Sequence, residues 1–230
     1  MITIYWHCLE TKASDQDEKF VAGALDQLTQ HLMVEPIKLS IRIKRLDDQP
    51  KLAKEIDAIL NKLNEQSYTF CNCAAEIIHR ISCFFAGGSH LGKTVPVARL
   101  LVYCSPDTQI AKAALRKEPS NLWGSMWPFK TPAPITGILG ALPGCFAAAY
   151  RPNNKTNICH EALHMLGVDE CYDPVTKEGT CEKAPGCIMG YGSPEKTCEN
   201  WPFLCDNNIR ILQELAKRAE NARFSYDAPS

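Results

Sequence analysis

The 230-residue sequence carries almost no excess charge: 25 Lys and Arg stand against 26 Asp and Glu. There is no global basic field to recruit nucleic acid or an anionic membrane. Long apolar runs are missing too. The longest, residues 135–150, is broken by Pro143 and three glycines, and it falls short of the roughly 20 apolar residues a membrane helix needs. The first residues, MITIYWH, have no basic start and no apolar stretch of leader length. The chain therefore reads as soluble and intracellular, with a mature secreted form stripped of its leader as the alternative. Repeats and low-complexity tracts are absent. With 45% hydrophobic and 22% charged residues, disorder, collagen and coiled coil are excluded as its main character.

What the sequence does have is cysteine, 12 residues and an even number. That is high for an ordinary cytosolic enzyme and low for a small disulfide scaffold. Either disulfides form in an oxidising compartment or thiolates hold metal. The length fits a single domain, 1–230.

Hydrophobic spacing predicts an α/β (α+β) order. Ile2, Ile4 and Trp6 alternate as a strand, and Phe20, Val21, Leu25, Leu28 and Leu32 follow at helical spacing within 15–33. A strand over 37–43 and a helix over 52–63 come next. Residues 69–86 are apolar but fit helix or strand equally. Residues 97–103 (VARLLVY) form the strongest strand signal. Residues 116–134 lack a period and read as a long loop, and 135–150 as strand, turn, strand. A helix is expected over about 155–167, an irregular Cys-rich stretch over 168–208, and a closing amphipathic helix over 209–224. An upper lobe, 1–167, would end in the helix at 155–167, with a smaller lobe, 168–230, below it.

The chemistry concentrates at His160-Glu161-Ala162-Leu163-His164. This is H-E-x-x-H. On a helix, residues four apart face the same way, so both imidazoles can hold one Zn²⁺ at about 2.0–2.1 Å. Glu161 is placed to take a proton from water on the metal. Gly167 follows, a natural helix stop because glycine accepts positive φ. The chain can then turn back with a third ligand, which catalytic zinc requires. Glu170, ten residues after His160, is the candidate, with Asp169 beside it as the alternative. Further on comes Cys187-Ile188-Met189-Gly190-Tyr191, a methionine in a glycine-containing turn.

With H-E-x-x-H-x-x-G at 160–167 and a Met-turn at Met189, the sequence resembles the metzincin clan of zinc peptidases. Cys171 and the C-x-M at 187–189 most resemble the archaemetzincins. The resemblance covers 160–191. It implies a metzincin-like mixed sheet, His160, His164 and the residue at 170 as zinc ligands, Glu161 as general base and Met189 as an apolar floor. It also implies Tyr191 as an oxyanion-stabilising group, as in astacins and serralysins; the plain alternative is a turn tyrosine packed near the methionine. The substrate would be an extended peptide or protein, added to an edge strand expected within Gly137–Tyr150. Trp123, Trp127 and Phe129 could line the cleft between the lobes.

Three features depart from the family pattern. The third ligand is Glu170 where most metzincins have histidine, although the snapalysin type carries aspartate there. A carboxylate lowers the net charge of the site and should make bound water less acidic. Fifteen residues separate Cys171 from Cys187, and Cys198 and Cys205 have six between them rather than two. Cys171, Cys181, Cys187, Cys198 and Cys205 are dense enough to supply a second, structural zinc site, with Cys171, Cys187, Cys198 and Cys205 the family-guided set; disulfides are the alternative. Two other functions remain open: a gluzincin-like peptidase using Asp173 or Glu178, and a non-catalytic protein with a closed His/Cys zinc site. Oligomeric state is not legible in the sequence.

Overall fold

The computed structural model describes residues 2–8, 15–62, 76, 80, 99–104, 124–126, 146–150, 155–173, 175–182, 186–190 and 204–224. Five strands form one sheet: β1 (Ile2–Cys8), β2 (Ile41–Arg45), β3 (Arg99–Cys104), β4 (Gly124–Met126) and β5 (Phe146–Tyr150). Their spatial order is β2-β1-β3-β5-β4. The β1–β2, β1–β3 and β3–β5 pairs are parallel, and β4 alone runs antiparallel, against β5. Among the described residues the α-helices are α1 (Asp15–Met33), α2 (Pro50–Asn61), α3 (Lys155–Met165) and α4 (Asp206–Phe224). The architecture is therefore mixed α/β.

Parallel neighbours need long crossovers, and right-handed crossovers leading to opposite sides of β1 place α1 and α2 on opposite faces. The side chains agree. Ile2, Ile4 and Trp6 of β1 join Val21, Ala24, Leu25, Leu28 and Leu32 of α1 in one buried cluster. His7, on the other face of β1, reaches Asp57 of α2 at 2.9 Å. Helix α2 begins with Pro50 at its first position, where the missing N–H costs nothing. Its buried stripe is Leu52, Ala53, Ile56, Ile59 and Leu60.

The α1 core continues through Ile158, Cys159, Ala162, Leu163 and Met165 of α3 to Val168, Cys171, Cys187, Ile188 and Met189. From there it reaches Leu204, Cys205, Leu212 and Leu215. One apolar cluster thus spans the two regions expected as lobes. The Cys159 thiol donates to the Ala24 carbonyl at 3.2 Å, tying α3 to α1.

Four expectations need correction. The second strand is Ile41–Arg45 rather than 37–43; Ile37 and Leu39 are buried outside it, in the connection from α1. Helix α2 lies two residues earlier than 52–63, because Pro50 starts it. The loop over 116–134 contains β4, whose three residues Gly-Ser-Met are too short to show a period. Finally, β5 is not an edge: it is paired with β3 on one side and β4 on the other, so among the described residues the edge on this side of the sheet is β4. The tract 69–86 lies outside the described residues except for Glu76 and Arg80. No helix among the described residues is long and apolar enough to cross a membrane.

Candidate metal centre

Helix α3 packs against β3, β4 and β5 as well as α1, so its position is fixed from two sides. His160 and His164 sit one turn apart on it. Their rings meet edge to face with centroids 4.8 Å apart. The helix stops where the glycine allows it. Gly167 adopts φ of 86°, its N–H donates to the His164 carbonyl at 3.0 Å, and the Val168 N–H returns to Leu163 at 3.2 Å. The reversal carries Glu170 back to both histidines.

His160 Nε2 and His164 Nε2 are 3.1 Å apart. Glu170 Oε1 is 3.0 Å from His164 Nε2, and Oε2 is 3.4 Å from His160 Nε2. Donors at about 2.05 Å from a tetrahedral ion stand roughly 3.3 Å from one another, so these separations match a shared cation. The far side of each ring is also set. His160 Nδ1 donates to the Ile188 carbonyl at 2.8 Å and His164 Nδ1 to the Val168 carbonyl at 2.9 Å. A carbonyl can only accept, so each Nδ1 carries its proton and each Nε2 lone pair is available to an ion. The Tyr172 hydroxyl donates to Glu170 Oε1 at 3.1 Å.

Electrostatics point the same way. Burial pulls the His160 pKa down, but the Glu170 hydrogen bond, the Glu161 and Glu170 charges and the Ile188 carbonyl outweigh it and hold it at about 9. Burial pushes Glu170 up, but hydrogen bonds and charges from His160 and His164 win and hold it at about 2. The group is built to hold positive charge, which a proton or a metal ion can supply. Glu161 is 7% exposed on the same helix.

A second cluster lies directly behind. The sulfurs of Cys171, Cys181, Cys187 and Cys205 all lie within 4.8 Å of one another. Cys171 Sγ is 3.5 Å from both Cys205 Sγ and Cys187 Sγ, far beyond the roughly 2.05 Å of a disulfide. All four are free cysteines. Thiolates at about 2.3 Å from a tetrahedral ion stand roughly 3.8 Å apart, so this group also fits a metal. Burial and the neighbouring thiols push Cys171 far above its ordinary pKa. A cation would reverse that cost. For Cys187 burial raises the pKa, partly offset by hydrogen bonds from the Met189 and Cys205 backbones.

Among the described residues the group is Cys171, Cys181, Cys187 and Cys205; Cys198, of the family-guided set, lies outside them. After Cys171 the chain makes a short hairpin, closed by the Tyr172–Gly179 bridge and by Thr180 N–H to the Cys171 carbonyl at 2.8 Å. That hairpin takes up part of the fifteen-residue spacing to Cys187. Asp173 sits at its tip, where Oδ1 accepts the Val175 and Thr176 N–H groups at 2.8 Å each. Neither Asp173 nor Glu178 belongs to the histidine group, and Asp169 offers only its backbone nearby.

Met189 is fully buried in a turn closed by Gly190 N–H to the Cys187 carbonyl at 2.9 Å. The Met189 carbonyl accepts the Cys171 N–H at 2.8 Å. The turn at Met189, the segment carrying Glu170 and the sulfur cluster are thus one hydrogen-bonded unit. Tyr191, Trp123, Trp127 and Phe129 lie outside the described residues. Sequence reasoning missed Tyr172 and Asn208. Asn208 shares the buried face of α4 with Leu212 and Leu215, and a polar residue at an apolar-stripe position was the available signal.

No family model and no curated protein matches this sequence. Among solved structures the chain is similar to one described as "Structure of a chaperone-substrate complex", with a TM-score of 0.47 and 8% identity. The match covers 96% of this chain and 34% of that one. A likeness at that level carries no argument about fold or function.

Proposed function

We propose that this protein is a zinc-dependent metallopeptidase of metzincin type, with His160, His164 and Glu170 as the catalytic ligands. The observation that carries the reading is the convergence of two Nε2 atoms and one carboxylate at 3.0–3.4 Å, with both Nδ1 atoms tied to backbone carbonyls. Three protein ligands leave a tetrahedral ion one open position, which separates a catalytic site from a closed structural one. Imidazole and carboxylate at one group, and four thiolates at the other, are donor sets that zinc accepts.

Zinc bound there would lower the pKa of water and polarise a carbonyl oxygen. The chain supplies the remaining parts. Glu161, next to His160, takes the proton from the attacking water and passes it to the departing amine. The Ile188 and Val168 carbonyls keep both imidazoles in the ligating tautomer. Tyr172 orients the Glu170 carboxylate. Tyr191 is the candidate donor to the oxyanion. The extended substrate adds to β4, which among the described residues pairs on one side only and packs beside α3. Met189 forms the floor of the site. The second group, Cys171, Cys181, Cys187 and Cys205, holds a structural zinc.

The gluzincin-like alternative is the weaker reading because neither Asp173 nor Glu178 belongs to the group formed by His160, His164 and Glu170. Dialysis against a strong chelator, then assay on an unbiased peptide mixture read by mass spectrometry, tests the proposal. Cleavage should vanish on metal removal and return with added zinc. Cleavage that survives complete removal of zinc would contradict it.

A further inference from the structure

Asn208 lies near the start of α4, is 1% exposed, and makes two contacts that straddle Glu170. Its Nδ2 donates to the Asp169 carbonyl at 3.2 Å and to Cys171 Sγ at 3.2 Å. Asp169 and Cys171 are the residues on either side of Glu170. A carbonyl and a sulfur both accept, so the amide nitrogen must face them. The Oδ1 atom pays for this arrangement, since it is buried with no hydrogen-bond partner among the described residues. Leucine, nearly the same shape, would fill the position without that cost. The amide is therefore present for what its nitrogen does.

We propose that Asn208 is a positioning residue that couples the cysteine cluster to Glu170, so that metal in the cluster strengthens metal binding at the histidine site. The coupling rests on the metallopeptidase reading above. A hydrogen bond to an ionised acceptor is roughly twice as strong as one to a neutral acceptor. With metal in the cluster, Cys171 is a thiolate and holds the amide firmly. The same amide then fixes the Asp169 carbonyl, and with it the backbone that presents Glu170. On the other side the Cys171 N–H is held by the Met189 carbonyl at 2.8 Å. Among the described residues, by contrast, the Glu170 side chain meets the two histidines and Tyr172. Its place is set through the backbone, and Asn208 is the side chain that reads both the cluster and that backbone. Binding linkage is reciprocal, so filling the histidine site must favour the cluster by the same factor.

The test is a Co²⁺ titration of the full chain. Thiolate-to-cobalt bands report the cysteine cluster, and chelator competition on the remaining visible bands reports the histidine site. Asn208→Leu should weaken cobalt binding at the histidine site about 10–100-fold while the thiolate bands keep their intensity. Asn208→Ser, which keeps one donor, should fall between and also serves if the leucine variant does not fold. Cys181→Ser should weaken the histidine site in the wild-type background and have less than a twofold effect on it in the Asn208→Leu background. Two cobalt ions bound, with histidine-site affinity within twofold of wild type in both Asn208 variants, would overturn the coupling and leave the peptidase reading intact. A wild-type protein that shows only the thiolate bands would overturn the peptidase reading, and the coupling with it.

Discussion

At the scale of residues, the site is a charge problem with two solutions. His160 is held at about 9 and Glu170 at about 2, so without metal the pair holds a proton at neutral pH. A raised histidine pKa stabilises the fold below its ordinary value of 6.5, and that stabilisation is lost as pH rises through about 9. A depressed carboxylate pKa stabilises above its ordinary value of 4.5, and that is lost as pH falls through about 2. Metal-stripped protein should therefore gain most from this pair between about pH 4.5 and 6.5. Zinc affinity should run the other way, rising with pH toward about 9, because the ion must displace the proton. Thermal melts of stripped protein across pH, beside zinc competition titrations, check both trends; a zinc affinity flat from pH 6 to 9 would contradict them. The histidines and Glu161 were legible in the sequence because H-E-x-x-H places them by helical period alone. The carbonyls of Ile188 and Val168 were not, because a backbone atom has no residue-type signature. Tyr172 was not, because its role depends on a turn whose geometry the sequence does not specify.

At the scale of elements, the reversal after α3 decides whether Glu170 meets the two histidines. Gly167 at φ 86° ends the helix, and the next residue supplies the carbonyl that orients His164. Gly167→Ala forces a side chain into left-handed backbone, at a cost of roughly 1–2 kcal/mol. It should also displace the Val168 carbonyl and Glu170, so zinc affinity at the histidine site should fall by tenfold or more while the thiolate cluster stays loaded. Zinc titration with a chromophoric chelator reads that difference. Helix α1 and strand β1 carry periodic signals and β3 an unbroken apolar run, and the structure places them, with α3, close to where the sequence did. Strand β4 did not, since three residues have no period to detect. Its position moves the expected substrate edge, because among the described residues the edge beside α3 belongs to β4 and not to the alanines of β5. Cys181 was visible as a member of a dense group, but only folding of the 171–180 hairpin shows that it lies beside Cys171.

At the scale of the whole molecule, one apolar cluster runs from α1 through α3 and the turn at Met189 to α4, with Cys171, Cys187 and Cys205 in it and Cys181 packed against it. The cysteine cluster joins the hairpin, the turn at Met189 and the residue just before α4. A metal held there should therefore stabilise the fold as well as the site. Cys205→Ser should cost on the order of 3 kcal/mol and lower Tm by roughly 6–12 °C for a chain of this size, with the loss erased when both proteins are stripped of metal. Equal Tm values in the zinc-loaded state would remove the cluster from the stability account. The even cysteine count suggested disulfides, yet the five cysteines with described side chains are all free. The central claim is that Glu161 works as a general base beside a zinc held by His160, His164 and Glu170. Its most direct test compares zinc-loaded wild type with zinc-loaded Glu161→Gln on the same peptide mixture, with zinc content measured on both. The account predicts two zinc ions in each protein and cleavage at least ~10²-fold slower in the variant. Equal cleavage by the two proteins, or a wild type that holds two zinc ions and cleaves no peptide, would contradict it.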